Sequence, residues 1–282
     1  MLRISAISFL NTAPLMWSFE YEPRPELASD FEIAYTVPSA CARALREGVA
    51  DIGIIPAITY ARIPDLVVLG DVAIAARGPV RSILLISKVP LQKIRTVAAD
   101  TSSRTSVALT QVLLEKWFGS RPEMIPMAPD LGPMLASCDA ALIIGDPALQ
   151  ITVHGVPTTA NLEQQVDVYD LAQLWREKTG KPFVFAFWAM RKAALKQARH
   201  GLNVAQVFNR SRDEGIRPKN VETIAELWSP RLGISQADVS RYLNQDIFYF
   251  LDRDCRDGLE LFYNYAAEVG ATSNVPSLEF LR

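Results

Sequence analysis

The sequence predicts an α/β fold made of two similar lobes with a ligand cleft between them. Two look-alike segments, 50–56 (ADIGIIP) and 138–146 (CDAALIIGD), each follow a leucine-bearing, helix-like stretch. Before each of them a strand-like run leads into a polar turn, 8–12 (SFLNT) in the first half and 100–106 (DTSSRTS) in the second. If the lobes face each other, hydroxyls, an amide and free backbone N–H groups converge on one cleft that suits a small polar ligand.

The first lobe is predicted to alternate strands with short helices. The predicted strands are 3–7, 32–37, 52–55, 66–75 and 82–87, and the main helix is 40–47. Pro38 and Ser39 introduce this helix, and Gly48 is positioned to end it in a left-handed conformation. Because apolar runs alternate with helices, parallel strands covered on both faces are favoured over a half-exposed antiparallel sheet.

The second lobe is predicted in the middle of the chain. Its elements are strands at 96–99, 123–127 and 140–144 and a helix at 104–118. The polar stretch 88–93 contains a proline and suits a crossing near residue 90, while the apolar run 182–190 suits a buried strand that returns between the lobes. The first lobe is therefore assigned residues 1–90 plus 188–282, and the second lobe residues 91–187.

The rest of the chain is predicted to be helical. Ser235 followed by Asp238 has partial capping-box character, which indicates a helix start. The last helix is expected at 258–269, with Gly270 positioned to end it.

Composition excludes several classes of function. Of the 282 residues, 49% are hydrophobic and 21% charged, which is normal for a globular protein with a substantial core. A formal net charge of −2 lacks the basic excess that nucleic-acid binding requires. The segment Met1–Ser8 is too short and polar for a signal peptide, and no stretch of ~20 apolar residues is present. A cytoplasmic protein without membrane contact is expected, as a monomer or homodimer.

Cysteine and histidine usage argues against disulfides and metal. Cys41, Cys138 and Cys255 lie far apart and are odd in number, so reduced and mostly packed thiols are expected. The two histidines, His154 and His200, have no spacing that suits zinc.

The turn of the second lobe carries the strongest local chemistry. Hydroxyl and guanidinium side chains follow one another in the turn between a predicted strand and a predicted helix. They belong to Thr101, Ser102, Ser103, Arg104 and Thr105. Exposed N–H groups and the helix dipole favour an anion at such a turn, and the hydroxyls add neutral donors. Plain helix capping is the alternative, since serine and threonine are ordinary N-cap residues, and Arg104 alone is equally a surface residue.

Other candidates lie at the ends of predicted strands. Asn11 offers donors and an acceptor to a ligand, with an N-cap role as the equal alternative. Pro56 and the pair Gly145 and Asp146 end the two matching strands, where open parallel sheets place ligands. Asp146 either lines the cleft or caps a turn.

Two single serines are further candidates with strong structural alternatives. Ser39 follows Pro38 at a helix start, where capping is favoured, and Ser82 lies at the expected lobe junction. Most such serines satisfy a nearby backbone group.

Missing motifs narrow the chemistry. The sequence has no G-x-S-x-G, no P-loop and no G-x-G-x-x-G, and the candidate turns contain no histidine, cysteine or glutamate. The motifs usually needed for acyl transfer, nucleotide-driven chemistry and nicotinamide reduction are therefore missing. Any reaction here is expected to demand little catalytic chemistry of the protein.

Several blocks of the sequence, in order, resemble one known family, the MqnA family of chorismate dehydratases in the futalosine route to menaquinone. The matching blocks are 8–15 (SFLNTAPL), 38–39 with 45–56, 81–83 (RSI), 100–106 and 144–146 (IGD). A last block runs from 175 to 188 and includes 175–176 and 180–183. The resemblance implies a type II periplasmic-binding-protein fold used as a cytoplasmic enzyme, without a cofactor. The implied reaction removes water from chorismate to give 3-[(1-carboxyvinyl)oxy]benzoate.

Within that resemblance, Asn11 and Ser82 are expected to position the reacting ring and the leaving hydroxyl. Ser39 and residues 101–105 are expected to bind carboxylates, and Asp146 to shape the site. One alternative is a solute-binding protein of the same fold. Another is the sibling 1,4-dihydroxy-6-naphthoate synthase, for which a histidine base near the cleft is expected. A sensor domain would need an attached DNA-binding helix-turn-helix.

Overall fold

Two separate β-sheets organise the chain, which confirms the two-lobed α/β architecture. The computed structural model describes residues 1–21, 25–157, 165–273 and 277–281, and within them the first sheet has seven strands and the second has five. The first sheet contains β1 (Leu2–Ile7), β2 (Phe31–Thr36), β3 (Ile52–Pro56), β4 (Leu66–Ala76), β10 (Phe183–Arg191), β11 (Phe248–Phe250) and β12 (Phe280–Leu281). The second sheet contains β5 (Ile83–Ser87), β6 (Thr96–Asp100), β7 (Glu123–Met127), β8 (Ala140–Ile144) and β9 (Asp167–Asp170).

Both sheets are mixed, so the expectation of parallel strands is only partly right. β1 pairs in parallel with β2 and β3, whereas β10 pairs antiparallel with both β3 and β4. In the second sheet β6 is parallel to β7 and β8, but β5 is antiparallel to β8 and β9. An apolar run shows that a strand is buried on both faces, which holds for either direction, and so it does not reveal direction.

The chain changes sheet earlier than predicted in both directions. β5 pairs in the second sheet, although the expected boundary put it in the first lobe. β10 lies wholly in the first sheet, although it was expected to pass between the lobes. The chain therefore crosses within residues 77–82 and returns within residues 171–182. The polar stretch 88–93 is a connection between two strands of the second sheet, because a proline and polar residues mark any surface loop equally well.

The helices cover the sheets and follow ordinary capping chemistry. They are α1 (Pro25–Asp30), α2 (Pro38–Glu47), α3 (Thr105–Phe118), α4 (Leu131–Ser137), α5 (Gly145–His154), α6 (Leu171–Thr179), α7 (Val204–Gly215), α8 (Pro218–Leu232), α9 (Gln236–Arg241) and α10 (Arg253–Glu268). Gly48 ends α2 with a φ of 73°, as predicted. Ser235 caps α9 by accepting from Asp238 N at 3.0 Å, also as predicted. The final helix begins earlier than expected, where Asp252 accepts from Cys255 N.

One carboxylate fixes the first crossing segment. Asp170, at the end of β9, accepts from the backbone N–H groups of Val80 and Arg81 at 2.8 and 2.6 Å. Its other oxygen accepts from Ala172 N and Gln173 N and caps α6. Residues 80 and 81 are thereby attached to the second sheet before β5 begins.

The C-terminal helices pack against the first lobe and brace its first turn. Gly215 at the end of α7 lies so close to the segment after β1 that a Cβ there would come 1.9 Å from the Pro14 carbonyl oxygen. Only a residue without a side chain permits this approach, since the atom in the way is backbone. Ser211 Oγ donates to Leu15 O at 2.8 Å and accepts from Ser18 N at 3.0 Å, which fixes the same segment. Among the described residues no helix has the length and apolar character needed to cross a bilayer.

Candidate functional site

The candidate site is a cleft between the two sheets, next to the ends of β1, β3 and β8. Its cavity volume is about 50 Å³. The lining is mostly apolar, with a few polar groups from both lobes. The lining residues are Ile7, Phe9, Asn11, Pro38, Pro56, Ile74, Ile83, Ser103, Arg104, Thr105, Ser106, Ile144, Gly145, Phe185 and Ala186. An apolar cavity with few converging polar groups is the usual form of a small-molecule site.

Asn11 reaches this cleft from a 3₁₀ segment, Leu10–Met16, that follows β1. The N-cap alternative for Asn11 is wrong, because Phe9 occupies that position and no side chain caps the segment. Thr12 Oγ1 instead donates to the carbonyl oxygens of Ile7 and Phe9 at 2.5 and 2.7 Å. Asn11 Oδ1 is buried and has no hydrogen-bond partner among the described residues. An unpaired buried acceptor is costly, so this oxygen is suited to a donor from a ligand.

The side chains of the second-lobe turn, residues 100–106, have different roles: some bond within the turn and some line the cleft. Ser102 donates through both N and Oγ to Asp100 Oδ1, at 2.8 and 2.6 Å. Ser103 Oγ accepts from Ser106 N at 3.3 Å, so it caps α3, and it also lines the cleft. Thr101 is exposed and lies in a neighbouring cavity rather than in the cleft. Ser103 therefore combines the capping and cleft-lining alternatives, whereas Ser102 bonds Asp100 and Thr101 lies outside the cleft.

Asp100 anchors this turn to the end of β8. Burial raises the pKa of the Asp100 carboxyl, and hydrogen bonds from Ser102 and from the Ile144 backbone oppose the rise. These hydrogen bonds hold the turn against the end of β8, the neighbouring strand of the same sheet.

Direct hydrogen bonds join the two lobes around the cleft. Ser39 N, in the first turn of α2, donates to Ser102 O at 3.1 Å. Ile58 N donates to Thr105 Oγ1 at 3.3 Å. Because these bonds use the Ser39 N–H and the Thr105 hydroxyl, both groups hold the lobes together. Ser39 itself is not among the residues that line the cleft.

Ser82 lies behind the cleft wall rather than in it. Its side chain is buried, at 1% exposure, and only its neighbour Ile83 lines the cavity. The Ser82 carbonyl accepts from Gly145 N at 2.8 Å, and its hydroxyl accepts from Tyr242 Oη at 2.7 Å. The residue before it, Arg81, has a left-handed φ of 62°, which is uncommon for a side chain other than glycine.

Arg81 holds that backbone conformation through both main chain and side chain. Its N–H is bound by Asp170, and its carbonyl accepts from Thr152 Oγ1 at 2.6 Å. Its guanidinium lies 3.3 Å from Asp246 Oδ2 and 3.6 Å from Asp238 Oδ1. The strained residue is therefore held on all sides, and Ser82 is placed with little freedom.

Gly145, Asp146 and Pro56 form the edges of the cleft. Gly145 has a φ of 68°, and a Cβ there would come 2.8 Å from the Phe9 ring of the opposite lobe. Asp146 Oδ1 accepts from Leu10 N at 3.0 Å, which is a further bond between the lobes. Gly145 and Pro56 line the cavity, whereas Asp146 acts beside it.

Asparagine at position 146 is expected to stabilise the protein at neutral pH. Burial raises the pKa of the Asp146 carboxyl to about 6 from its ordinary value of 3.8, and the Leu10 N–H opposes the rise. Between these two values the native state holds a proton that the unfolded chain has released. The contribution of Asp146 to the free energy of unfolding therefore falls as pH rises through that window, by about 1–3 kcal/mol, and is constant above it.

Asp146→Asn removes the buried charge and keeps an oxygen for Leu10 N. Thermal unfolding should give a higher Tm than the parent at pH 7.5, with the gap shrinking towards pH 4. Asp130→Asn, at an exposed carboxylate, is the control and should leave Tm nearly unchanged at both pH values. An Asp146→Asn protein that is less stable than the parent at pH 7.5 would contradict the burial argument.

Arg104, in the cleft, lies within electrostatic range of three further arginines. Arg104 lines the cavity, and burial lowers its pKa, with further lowering by Arg62, Arg46 and Arg43. Arg43 and Arg46 are exposed on α2, and Arg62 donates to the Ala271 carbonyl. A guanidinium stays charged at neutral pH, so this region attracts anions, and the arrangement suits a ligand with more than one carboxylate.

Sequence reasoning missed Tyr242, Phe9 and Phe185 as parts of the site. Tyr242 contacts Ser82 across 160 residues of sequence, and no local pattern reveals such a pair. Phe9 lay inside a turn that was already singled out, and its place in that turn was the available signal. Among the described residues no group of three or more histidine, cysteine or acidic side chains is placed to hold a metal ion.

Two opposed α/β lobes with a ligand cleft between them define the class of periplasmic-binding-protein-like folds. The chain superposes on a crystal structure from Archaeoglobus fulgidus with a TM-score of 0.66 and 16% identity, covering 95% of this chain and 97% of that one. It superposes on the periplasmic aliphatic sulphonate binding protein of Escherichia coli with a TM-score of 0.58 and 14% identity, covering 100% and 93%. At these identities the likeness shows the fold alone.

Within that class the chain belongs to the menaquinone biosynthesis family. A sequence model of that family, described as menaquinone biosynthesis, matches residues 2–268. A chorismate dehydratase of Thermus thermophilus is 31% identical over 266 residues, which are 90% of this chain and 91% of that protein. A chorismate dehydratase of Campylobacter jejuni is 31% identical over 193 residues, covering 67% and 68%. The family resemblance inferred from the sequence is confirmed.

Proposed function

We propose that this protein is a chorismate dehydratase of menaquinone biosynthesis, a hydro-lyase that converts chorismate to 3-[(1-carboxyvinyl)oxy]benzoate and water. The relatives in Thermus thermophilus and Campylobacter jejuni carry that name. The sulphonate-binding protein shares only the fold, at 14% identity, so a transport role has no comparable support.

The observation that carries the proposal is the combination of groups in one cleft. The same cavity holds Arg104, an apolar lining that includes Phe9 and Phe185, and Asn11 Oδ1, which has no partner in the described part of the chain. Chorismate has two carboxylates, a ring hydroxyl and an apolar ring face. Each of these features finds a chemically matching group in the cleft.

The roles of the site residues follow from this match. Asn11 orients the ring and its leaving hydroxyl from within the cleft, and Ser82 supports this arrangement from behind the cleft wall. Arg104 binds a carboxylate with the hydroxyls of Ser103 and Thr105 nearby. Ser39, Thr101 and Ser102 support carboxylate binding indirectly, by joining the lobes and fixing the turn. Gly145 and Pro56 shape the cavity, and Asp146 holds the segment that carries Asn11.

The reaction removes one ring proton and one hydroxyl group. The electron pair of the C–H bond becomes a ring double bond as the C–O bond breaks, and the hydroxide leaves with a proton as water. Aromatisation supplies the driving force, so the protein mainly orients the substrate, excludes water and stabilises the departing oxygen. The described side chains that line the cleft include no carboxylate, imidazole or thiol. A carboxylate of the substrate itself, held close to the ring, is therefore the proposed proton acceptor.

Incubation of the purified protein with chorismate, without any added cofactor, tests the proposal. Chromatography with mass spectrometry should find a product lighter by one water with a benzoate absorption spectrum. An analogue that lacks the side-chain carboxylate should bind and not turn over. Tight binding of chorismate without turnover would overturn the dehydratase proposal, and normal turnover of the analogue would overturn the proton-acceptor proposal alone.

A further inference from the structure

A buried tyrosine from the C-terminal region contacts Ser82 behind the cleft wall and lies near Asn11, which orients the substrate in the proposed reaction. Tyr242 lies in the short helical segment Tyr242–Asp246 after α9 and is 1% exposed. Its hydroxyl donates to Ser82 Oγ at 2.7 Å. The Asn11 side chain lies near the same hydroxyl and lowers the pKa of the phenol. The phenol therefore connects a residue of the first lobe with a residue at the start of β5.

The number of donors and acceptors on Tyr242, Ser82 and Asn11 determines which of them stay available to a further partner, and in which direction they point. A serine hydroxyl has one donor and two acceptor positions, and the phenol occupies an acceptor position of Ser82. The Ser82 proton is thereby directed away from Tyr242. An asparagine that gives its N–H to the phenol keeps its carbonyl oxygen for another donor, and Asn11 Oδ1 is the buried atom with no partner in the described part of the chain.

From this geometry we propose that Tyr242 is a positioning residue for the reaction, which is anchored on Ser82 behind the cleft wall and orients the Asn11 amide towards the substrate. The inference rests on the proposed dehydratase function. Tyr242 contacts Ser82, lies near Asn11 and is not among the residues that line the cleft, so it acts through these two neighbours.

The electrostatics of the site keep Tyr242 a neutral donor. Burial raises the pKa of the phenol, and the carboxylates of Asp146 and Asp246 raise it further. The hydrogen bonds with Ser82 and Asn11 oppose this rise without outweighing it. Tyr242 consequently keeps its proton throughout the pH range in which the protein is folded, and the direction of the hydrogen bond to Ser82 is fixed.

The structure supplies a matched control in Tyr249. This second buried tyrosine, on β11, is 3% exposed, and Tyr242 is close enough to raise its pKa. Its hydroxyl has no hydrogen-bond partner among the described residues. Phenylalanine at either position keeps the ring and its packing, so the two variants differ in whether a positioning hydrogen bond is lost.

The test compares steady-state kinetics on chorismate for the parent, Tyr242→Phe and Tyr249→Phe, with Tm measured for each. Tyr242→Phe should lower kcat about tenfold or more with KM changed less than threefold, since one hydrogen bond that orients reacting groups is lost. Tyr249→Phe should keep the parent kcat and KM. A Tyr242→Phe protein with the kinetics of Tyr249→Phe would overturn the inference.

A double-variant comparison separates positioning from general packing. If Tyr242 acts through Ser82, then Tyr242→Phe should lower kcat much less in a Ser82→Ala background than in the parent. Equal fold-losses in both backgrounds would overturn action through Ser82. A parent protein that does not turn over chorismate would overturn the proposed function together with this inference, whereas an active parent with an unaffected Tyr242→Phe overturns the inference alone.

Discussion

Asn11→Ala is expected to lower kcat for chorismate by about 10²-fold or more while leaving the folded protein as stable as the parent. The reason is that Asn11 Oδ1 is buried in the cleft with no partner among the described residues, so it contributes to orientation of the substrate and little to folding. Misplacement of reacting groups by a fraction of a bond length costs a rate factor of this size. A residue whose role lies in the transition state should affect kcat more than KM.

Steady-state kinetics and thermal unfolding check this separation of activity from stability. Gly215→Ala is the informative comparison, because it disturbs the same 3₁₀ segment by steric contact with the Pro14 carbonyl and should lower Tm. An Asn11→Ala protein with parent-like kcat, or one whose loss of activity follows entirely from a lower Tm, would contradict the proposed role.

Arg104→Ala is expected to lower kcat/KM by about 10²-fold or more, mainly through a higher KM. Arg104 is the charged side chain among the residues that line the cleft, and it faces a substrate with two carboxylates. Truncation of one partner in a partly buried ion pair costs about 2–5 kcal/mol. A group that binds ground state and transition state alike raises KM when it is removed and leaves kcat nearly unchanged.

Arg43→Ala provides the matched control for charge alone. Arg43 is exposed on α2, near Arg104 and outside the residues that line the cavity. Its loss should reduce kcat/KM only a few-fold at low salt, and the effect should vanish as ionic strength rises, since salt screens exposed charges. Equal effects of the two substitutions under all conditions would show that Arg104 acts through the general field and not by contact.

Much of the fold could be predicted from the sequence because local chemistry determined it. Gly48 and Ser235 end and begin helices at the predicted positions, and the buried strands at 52–56 and 140–144 follow from their apolar runs. The direction of β10 and the points where the chain changes sheet could not be predicted in this way. Both features depend on which strands pair across long distances in the sequence. A buried strand has the same composition whether it is parallel or antiparallel to its neighbours.

The candidate site was partly predictable for a related reason. Asn11, Arg104 and Gly145 line the cleft because strand-to-helix turns lie at the ends of strands, which is a local property. Whether a hydroxyl caps its own helix or faces the cleft depended on neighbours such as Asp100, which takes both donors of Ser102. The contact of Tyr242 with Ser82 could not be predicted from the sequence, because the two residues are 160 positions apart.

The attachment of Val80 and Arg81 to Asp170 has a mechanical consequence for exchange of substrate and product. With residues 80 and 81 held on the second sheet, torsional freedom in the first crossing is confined to residues 77–79, which contain a glycine followed by a proline. The return crossing offers residues 180–182, again a glycine with a proline close behind. Rotation of the lobes about these two short segments opens the cleft for exchange. Its free-energy cost includes the hydrogen bonds that must break between Ser39 and Ser102, Ile58 and Thr105, and Leu10 and Asp146.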